Sequence, residues 1–415
     1  MKYSVSQSIY IPQLLRKKGG SRQAVKVAIF MPYVSNFYRY LLGEICQGFE
    51  EAGVEVRGGC GLLSEGDLVM FCKQYKPDMV IEMNRSRCDV QGLPNDIIHV
   101  CWLVDLWEKT LDQYVGSEMI FFFDPTWKKL YPYTDKCFCD CLPPGTSRKQ
   151  KGTVNNDFLH DFSFAGHIPK PWSENELERV ISYEGGPEMK FGTLYNAVVK
   201  EANSISTGMW PEKATARMKR LIRRGCKIPK TKYYDENMGR RIRVRNLHGA
   251  IYYDVNTRMS RMWGRQRLID EAVKISDSVG IYGSENWADW ECYRRFYSGM
   301  VESPEDLVNV YRGSRINLHQ GVGMHFRVID CMAVGGTIFV MRRGLKNVQG
   351  EIGDYFEDGV QFVSFGHDDF AGKAEDILAD EDKRRRIGEE ARKAVEAAHT
   401  WRHRAEKILH HYRTL

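Results

Sequence analysis

Residues 319–336 read HQGVGMHFRVIDCMAVGG and contain the most informative change of pattern in the chain. An apolar run ends just before them at Leu318, and another one begins at Gly336. Between the two runs, Gly321 and Gly323 are followed by apolar residues at helical spacing from about Met324. The stretch therefore predicts a strand, a glycine-bearing loop, a helix and a second strand, which is one unit of a parallel α/β sheet.

The same stretch has the residue types of a nucleoside-diphosphate site. Glycines let backbone N–H groups approach an anion closely, and a helix N-terminus adds about half a positive charge. Arg327 offers a forked set of donors to a phosphate, and Asp330, one turn later, can accept two hydrogen bonds from a ribose diol. The alternative is an ordinary loop and helix in which Arg327 and Asp330 pair with each other.

Apolar runs alternate with amphipathic segments on the N-terminal side of this stretch. The predicted strands of the first half are Val25–Phe30, Val54–Val56, Pro77–Ile81, Ile97–Val104, Met119–Phe123 and Lys136–Leu142. Helices fit between them, for example from Asn36 to Ala52, so this half predicts a doubly wound parallel sheet.

A second set of strands surrounds the stretch itself. Its members are Phe162–Gly166, Ser278–Gly283, Arg315–Leu318, Gly336–Val340 and Val360–Val363. We therefore predict two doubly wound domains that face a cleft, with ligands bound at the carboxyl ends of the strands. The predicted boundaries are an N-terminal extension (1–20), a first domain (21–155), a second domain (156–392) with an insertion at about 171–256, and a C-terminal helix (393–415).

Charge and composition exclude several classes of protein. No apolar run approaches the roughly 18–20 residues that cross a bilayer, and the basic start lacks the apolar region of a secretory signal. Eleven cysteines without a small-domain spacing predict reduced thiols and a cytoplasmic protein. The chain carries a net charge of +6, but residues 213–245 alone contain 13 Lys and Arg against 2 acidic residues. The basic character is thus a property of one segment.

Several segments together fit one family in their order and spacing. They are Cys101–Asp105, Cys141–Gly145, Asp161–Gly166, Tyr311–Leu318, Arg327–Gly336, Tyr355–Gly359 and His399–Arg404. This set resembles the CgeB-like glycosyltransferases, which are similar to the wider GT-B class of nucleotide-sugar-dependent enzymes. The resemblance covers most of the chain except residues 171–256, and it implies a GT-B-like fold of two Rossmann-like domains.

The resemblance also implies how a sugar donor would be bound. The second domain would hold the nucleotide, with Asp330 at the ribose hydroxyls. The residues that match the phosphate-side loops and the strand end near the base are Gly166, His167, Gly323, Met324, His325, Tyr282 and Gly283. Many retaining members of the class carry Glu eight residues before the ribose acid, where this chain has Val322. A retaining mechanism that uses this Glu is therefore not expected.

An inverting transfer needs a general base for the acceptor hydroxyl. Asp105 follows a predicted strand of the first domain and is the first candidate, with His167 second and His325 third. Trp102 and Trp107 flank Asp105 and are candidates for stacking on the acceptor. The alternatives are that Asp105 caps a following helix and that the histidines are surface residues with local hydrogen bonds.

Metal signals in the sequence are weak. Asp380-Glu381-Asp382 is typical of a charged helix start, and Cys137, Cys139 and Cys141 lack the usual zinc spacing and favour buried thiols. We expect no cofactor beyond the nucleotide-sugar donor, a UDP-sugar for preference, and no metal.

The basic segment leaves the acceptor open. Arg240, Arg241, Arg243 and Arg245 fit either a solvated charged face or a contact with an anionic partner such as DNA, an anionic glycan or a membrane surface. The acceptor is accordingly a glycan, a small molecule or DNA. Two alternatives stay open: a phage-type enzyme that glycosylates a hydroxymethylated base in duplex DNA, and a non-catalytic sugar- or nucleic-acid-binding protein on a degenerate GT-B fold.

Overall fold

The computed structural model describes residues 9–10, 25–106, 109–148, 158–181, 189–203, 230–235, 240–245, 254–321, 323–342 and 351–415. The chain forms two compact units. The first contains residues 1–149, 323–329 and 393–415, and the second contains residues 150–322 and 330–392.

The first unit is built on a sheet whose strands are β1 (Ile9–Tyr10), β2 (Lys26–Met31), β3 (Glu55–Cys60), β4 (Met79–Met83), β5 (Ile98–Leu103), β6 (Met119–Phe122) and β7 (Phe138–Cys141). The order across the sheet is β1-β3-β2-β4-β5-β6-β7. The six strands from β3 to β7 in this order are parallel, and β1, at the edge, runs antiparallel to β3. Both faces of β4 are buried, as expected for a parallel strand that helices cover on both sides.

Three helices connect strands of this sheet: α1 (Asn36–Glu51), α2 (Glu65–Tyr75) and α3 (Pro125–Leu130). Ser35 caps α1 by accepting a hydrogen bond from the Tyr38 N–H, and the helix ends before Gly53, whose φ of +83° is favourable for glycine. The buried face of α1 carries Leu41, Ile45 and Phe49 and packs into the core beside β2 and β4. Its spacing is what the sequence predicted.

The second unit contains a six-stranded parallel sheet. Its strands are β8 (His160–Ala165), β13 (Val279–Tyr282), β14 (Tyr297–Gly299), β15 (Ser314–His319), β16 (Ile338–Met341) and β17 (Val363–Phe365), in the order β14-β13-β8-β15-β16-β17. Two small antiparallel pairs precede β13, namely β9 (Val180–Ile181) with β10 (Met189–Lys190), and β11 (Lys230–Asp235) with β12 (Arg240–Arg245).

The remaining helices are α4 (Glu174–Glu178), α5 (Phe191–Asn203), α6 (Ser260–Val273), α7 (Pro304–Arg312), α8 (Phe326–Ala333), α9 (Phe370–Ala379), α10 (Glu381–Ala398) and α11 (Trp401–Tyr412). The predicted fold class is confirmed: each unit has six parallel strands and flanking helices, and the chain ends in helices. The C-terminal tail differs in detail from the expected single helix, because Thr400 starts a new helix by accepting a hydrogen bond from the His403 N–H.

Candidate functional site

The strand order of the second sheet marks where a ligand crevice forms. From β8 the chain passes to β13 and β14 on one side of that strand and then crosses back to β15 on its other side. Such a switch point opens a crevice at the carboxyl ends of the strands. The residues that follow β8, β13 and β15 are Gly166 and His167, Gly283 and Ser284, and Gln320 and Gly321.

Gly166 and Gly283 come into close backbone contact at this edge. The Gly166 N–H donates to the Tyr282 carbonyl at 2.8 Å. Gly283 has a φ of +150°, and a Cβ at this position would lie 2.3 Å from the Gly166 carbonyl oxygen. Only glycine fits here without a shift of the backbone, so the residue type that the sequence analysis selected has a steric cause.

His167 is exposed at the same edge and has a fixed ring position. Its Nδ1 lies 2.7 Å from the Ser284 hydroxyl. The loop that carries it is tied down on both sides, since Trp287 Nε1 donates to the Gly166 carbonyl at 2.7 Å and the Asn286 amide donates to the Ile168 carbonyl at 2.8 Å. His167 therefore presents an imidazole at the crevice, oriented by Ser284.

Tyr282 contributes to the crevice through its backbone. Its hydroxyl lies 2.9 Å from Nε2 of His160, the first residue of β8, so the side chain extends toward the amino ends of the strands. Burial raises the pKa of the Tyr282 hydroxyl, although a hydrogen bond from Ser298 opposes this. The ring is thus directed away from the strand end that the resemblance places near the base.

Arg265 and Gln320 form a pair that sequence reasoning missed. Arg265 lies in the second turn of α6, and its Nε donates to the Gln320 side-chain oxygen at 3.2 Å. Gln320 follows β15, so this contact brings a guanidinium to the carboxyl edge of the sheet. The two residues are 55 positions apart. Gln320 was part of the quoted stretch, but nothing near Arg265 in the sequence signals the contact.

Residues 323–329 group with the first unit, and Phe326 explains why. Its ring stacks on Phe123 with centroids 5.6 Å apart and lies edge-on to Trp102 at 6.3 Å. The neighbouring His325 accepts a hydrogen bond on Nδ1 from the Arg327 N–H at 3.3 Å. Phe326 was not among the predicted site residues, yet it fixes the start of α8.

The other predicted donor-site residues of the quoted stretch differ in their exposure. Met324 is buried, Gly323 and Arg327 are half-buried, and Asp330, in the second turn of α8, is 8% exposed. Arg327 and Asp330 are three residues apart in one helix, as the sequence predicted. Val322 lies outside the described residues.

Asp105 is exposed just past the end of β5, and Asn84 holds its backbone in place. The Asn84 side-chain oxygen accepts hydrogen bonds from the Val104 N–H at 2.7 Å and from the Asp105 N–H at 2.9 Å. Asn84 itself follows β4, is buried, and has a φ of +60°, a conformation that asparagine tolerates better than most residues. The residue that follows β4 thus holds the backbone of the predicted general base, Asp105, after the neighbouring strand β5.

Tyr38 lies close enough to Asp105 for the charge of the carboxylate to affect the pKa of the Tyr38 hydroxyl. Burial, then the Asp105 carboxylate and then Tyr33 raise the pKa of the Tyr38 hydroxyl to about 12. The hydroxyl therefore stays protonated near neutral pH beside the carboxylate. The exposed rings of Tyr33 and Phe37 lie beside it, with centroids 6.1 and 5.1 Å from that of Tyr38. The surface next to Asp105 is consequently aromatic.

The predicted role of Trp102 as a stacking surface needs correction. This residue is 3% exposed, and its indole N–H donates to the Leu142 carbonyl at 3.1 Å. Its ring packs against Trp401 with centroids 5.6 Å apart. Trp102 is therefore a core residue beneath Phe326, because it lies in the body of β5 and not after its end. Trp107 lies outside the described residues.

Residues 261–410 match the protein-family model described as Glycosyl transferase-like. The matched segment runs from α6 into α11, so it contains Arg265, Gly283, Gln320 and Asp330. The matched segment does not include β8, with Gly166 and His167, or Asp105 of the first unit, because these residues precede it in the chain. The comparison with curated proteins gives no match. The narrower CgeB-like resemblance stays a prediction.

Solved glycosyltransferases resemble the chain over most of its length. A glycosyltransferase from Rickettsia africae is 11% identical, with 95% of this chain and 99% of the other covered and a TM-score of 0.48. Anabaena Alr3699/HepE in complex with UDP is 8% identical, with 94% and 100% covered and a TM-score of 0.47. Sequence identities near 10% and TM-scores below 0.5 carry no conclusion about this chain. The fold assignment therefore rests on the strand order and register of the two sheets.

Arg240, Arg241, Arg243 and Arg245 belong to β12, which pairs antiparallel with β11. Its register pairs Arg245 with Lys230, Arg243 with Lys232 and Arg241 with Tyr234. Residues opposite each other in an antiparallel pair share a face, so five of these six positions on one face are basic. Arg240 pairs with Asp235 on the other face. The rest of the basic segment lies outside the described residues.

Within the described part of the chain, no three His, Cys, Asp or Glu residues come together as a metal site requires, and no helix is long and apolar enough to cross a bilayer.

Cys137, Cys139 and Cys141 are half-buried, which corrects the expectation of buried thiols. The Sγ atoms of Cys137 and Cys139 lie 3.5 Å apart, and mainly this contact lowers the pKa of Cys137 to about 7.

Proposed function

We propose that the protein is a glycosyltransferase that moves a hexose or pentose from a nucleoside-diphosphate-sugar donor to a hydroxyl acceptor. The observation that carries the proposal is the crevice of the second sheet, where Gly166 and Gly283 meet and Arg265 approaches through Gln320. The glycosyltransferase-like segment includes two of the three strands at this crevice, β13 and β15.

The proposed donor site has a distinct role for each group. Close backbone approach at Gly166 and Gly283 leaves room for a diphosphate, and the Arg265 guanidinium is a forked donor for its oxygens. Asp330 is assigned to the ribose hydroxyls, and His325 and Arg327 to the phosphate side. We propose UDP as the nucleotide and no metal, with helix N-termini and cations stabilising the leaving diphosphate.

In the proposed reaction, Asp105 takes the proton of the acceptor hydroxyl. The acceptor oxygen then bonds to the anomeric carbon of the sugar, and the bond from that carbon to the diphosphate oxygen breaks. The nucleoside diphosphate leaves with the bonding electron pair. His167 is the second candidate for the base. Exposed aromatic residues around Asp105 suit a sugar or another ring, since such rings stack on aromatic faces.

Release of nucleoside diphosphate from a panel of nucleotide-sugars tests this proposal. Water can take the place of the acceptor, so slow hydrolysis of the sugar donor is measurable before the natural acceptor is known. Asp105→Asn should lower the rate by about 100-fold or more, as loss of a general base does, with nucleotide affinity kept. Asp96→Asn, at an exposed position of the same unit, is the matched control. Equal rates in both variants would remove Asp105 from this role.

One observation favours a second candidate, in which the acceptor is a hydroxymethylated base in duplex DNA. The register of β11 and β12 collects five basic positions on one face, and such a row releases counterions when it binds phosphates. Neutralising Lys232, Arg241, Arg243 and Arg245 should abolish salt-sensitive binding to a DNA duplex. Unchanged binding would leave a glycan or small molecule as the acceptor.

Nucleotide binding without any donor cleavage would favour the third possibility, a non-catalytic binding protein. The observation that supports it is Val322, which stands where many retaining members of the class carry Glu. Detectable donor consumption by the wild-type protein, lost in Asp105→Asn, would exclude it.

A further inference from the structure

A second pocket lies at the opposite edge of the second sheet. Phe158 precedes β8, Ser314 is the first residue of β15, and Thr337 immediately precedes β16; all three line a cavity of about 240 Å³. Because parallel strands begin at one edge and end at the other, this cavity is separated by the length of the strands from Gly166 and Gly283. It is therefore independent of the proposed donor crevice.

Positive charge dominates the lining of this cavity, which we call the arginine pocket. Its basic residues are Arg312, Arg315, Arg384, Arg385 and Arg392. Two carboxylates, Glu381 and Glu389, also line it, so these seven side chains carry a net charge of +3. Three separate elements supply the arginines, namely α7, β15 and α10, which is why no motif in the sequence pointed to the pocket.

Arg384 is the buried member of the group. The residue is 7% exposed, and its guanidinium lies 4.5 Å from the centre of the Phe158 ring. The Glu381 carboxylate is 4.0 Å away, too far for a hydrogen bond, and it is itself exposed. A buried cation is costly unless a close anion and hydrogen bonds compensate it.

Arg315 approaches the same aromatic ring. Its guanidinium carbon lies 5.6 Å from the Phe158 centroid, and its Nε lies 3.5 Å from an Asp161 oxygen. Burial first, and then the charge of Arg315, lower the pKa of Arg384, although Glu381 and Asp161 oppose them. Two like charges thus converge on one wall of the pocket, where an anion would reduce their repulsion.

We propose that the arginine pocket binds a small anion that carries phosphate groups, of about the size of a diphosphate. Guanidinium forks match the geometry of phosphate oxygens, and a cavity of about 240 Å³ is smaller than the pockets that take drug-sized ligands, which suits a small anion. The side chain of Phe158 forms an apolar floor that keeps Arg384 out of water and strengthens its attraction for an anion.

Calorimetric titration of the full chain with inorganic pyrophosphate, and in parallel with inorganic phosphate, tests this proposal. Arg315→Gln/Arg385→Gln removes two charges from the pocket, and both side chains are exposed enough for the fold to survive. We expect this variant to bind pyrophosphate at least about tenfold more weakly than the wild type, since each lost charge-assisted hydrogen bond contributes to affinity. Arg386→Gln/Arg402→Gln removes two exposed arginines outside the pocket and should bind as the wild type does.

Arg265→Gln distinguishes this pocket from the donor crevice. Pyrophosphate binding to the arginine pocket should survive that change. Binding that is lost in Arg265→Gln and kept in Arg315→Gln/Arg385→Gln would overturn the proposal, because pyrophosphate would then occupy the crevice. Equal affinity of the pocket variant and its control, or no binding of either anion to the wild type, would overturn it as well.

Discussion

Gly283 has the strongest steric requirement among the candidate site residues. Its φ of +150° strains any side chain, and a Cβ would meet the Gly166 carbonyl oxygen at 2.3 Å. Gly283→Ala should therefore push apart the loops after β8 and β13 and weaken nucleotide binding, with a loss of stability of about 1–3 kcal/mol. Gly299→Ala is the matched control, because Gly299 has a φ of +106° but open space around its Cβ position. Chemical unfolding and nucleotide titration of both variants check this; equal effects would show that the Gly166 contact is unimportant.

Arg265 is the residue whose role depends most on tertiary structure. Arg265→Gln should lower the affinity for a nucleoside diphosphate by about 1.5–3 kcal/mol, the usual contribution of a hydrogen bond to a charged group. Arg267→Gln provides the control, since Arg267 is in the same helix but lies against the Trp263 ring, 5.2 Å from its centre. Titration with the nucleotide compares the two. Identical affinities would remove Arg265 from the donor site.

At the scale of elements, Arg404 links the start of α11 to the loop that follows β7 and to His399. Arg404 donates hydrogen bonds to the Pro143 and Pro144 carbonyls at 2.8 and 3.0 Å, and its Nη2 donates to His399 Nδ1 at 3.0 Å. Nδ1 must be unprotonated to accept this bond. Burial, then Arg404 and then His403, lower the pKa of His399 to about 4.

This contact predicts a pH dependence of stability. The unfolded chain binds a proton at His399 near the ordinary pKa of about 6.5, whereas the folded chain resists it down to about 4. The contribution of neutral His399 is thus complete above the unfolded pKa and is lost as pH falls from about 6.5 toward 4. His399→Gln should lose less stability between pH 7 and pH 5 than the wild type. Urea unfolding of both proteins at the two pH values measures this, and equal losses would contradict it.

Sequence patterns predicted elements better than they predicted side-chain placement. The apolar runs at β2, β4, β8 and β15 correspond to strands, because a parallel strand buried on both faces leaves a continuous signal. Trp102 shows the limit: proximity to Asp105 suggested a shared surface, but its position within β5 directs the ring into the core. The helix break near His399 had a local signal, Thr400 as a cap, that the charged composition of the tail obscured.

At the scale of the whole molecule, strand order supplied what the sequence lacked. The crevice beside β8 follows from the neighbours of that strand, and these depend on which segments pair over more than 100 residues of chain. The Arg265–Gln320 contact and the arginine pocket arise in the same way, from elements that are distant in sequence. The resemblance drew attention to Gly166 and Gly283, and close backbone approach explains glycine at position 283. Convergent cations from separate elements leave no such local pattern.

The central claim is that the second unit binds a nucleoside diphosphate. A thermal-shift screen of the full chain against UDP, GDP, dTDP, CDP and ADP, each with and without magnesium, tests it most directly, because a ligand of the native state raises the unfolding midpoint by mass action. We predict that one diphosphate, UDP for preference, raises the midpoint selectively and without magnesium, and that Arg265→Gln reduces this shift while Arg267→Gln does not. No shift with any of the five nucleotides would contradict the account.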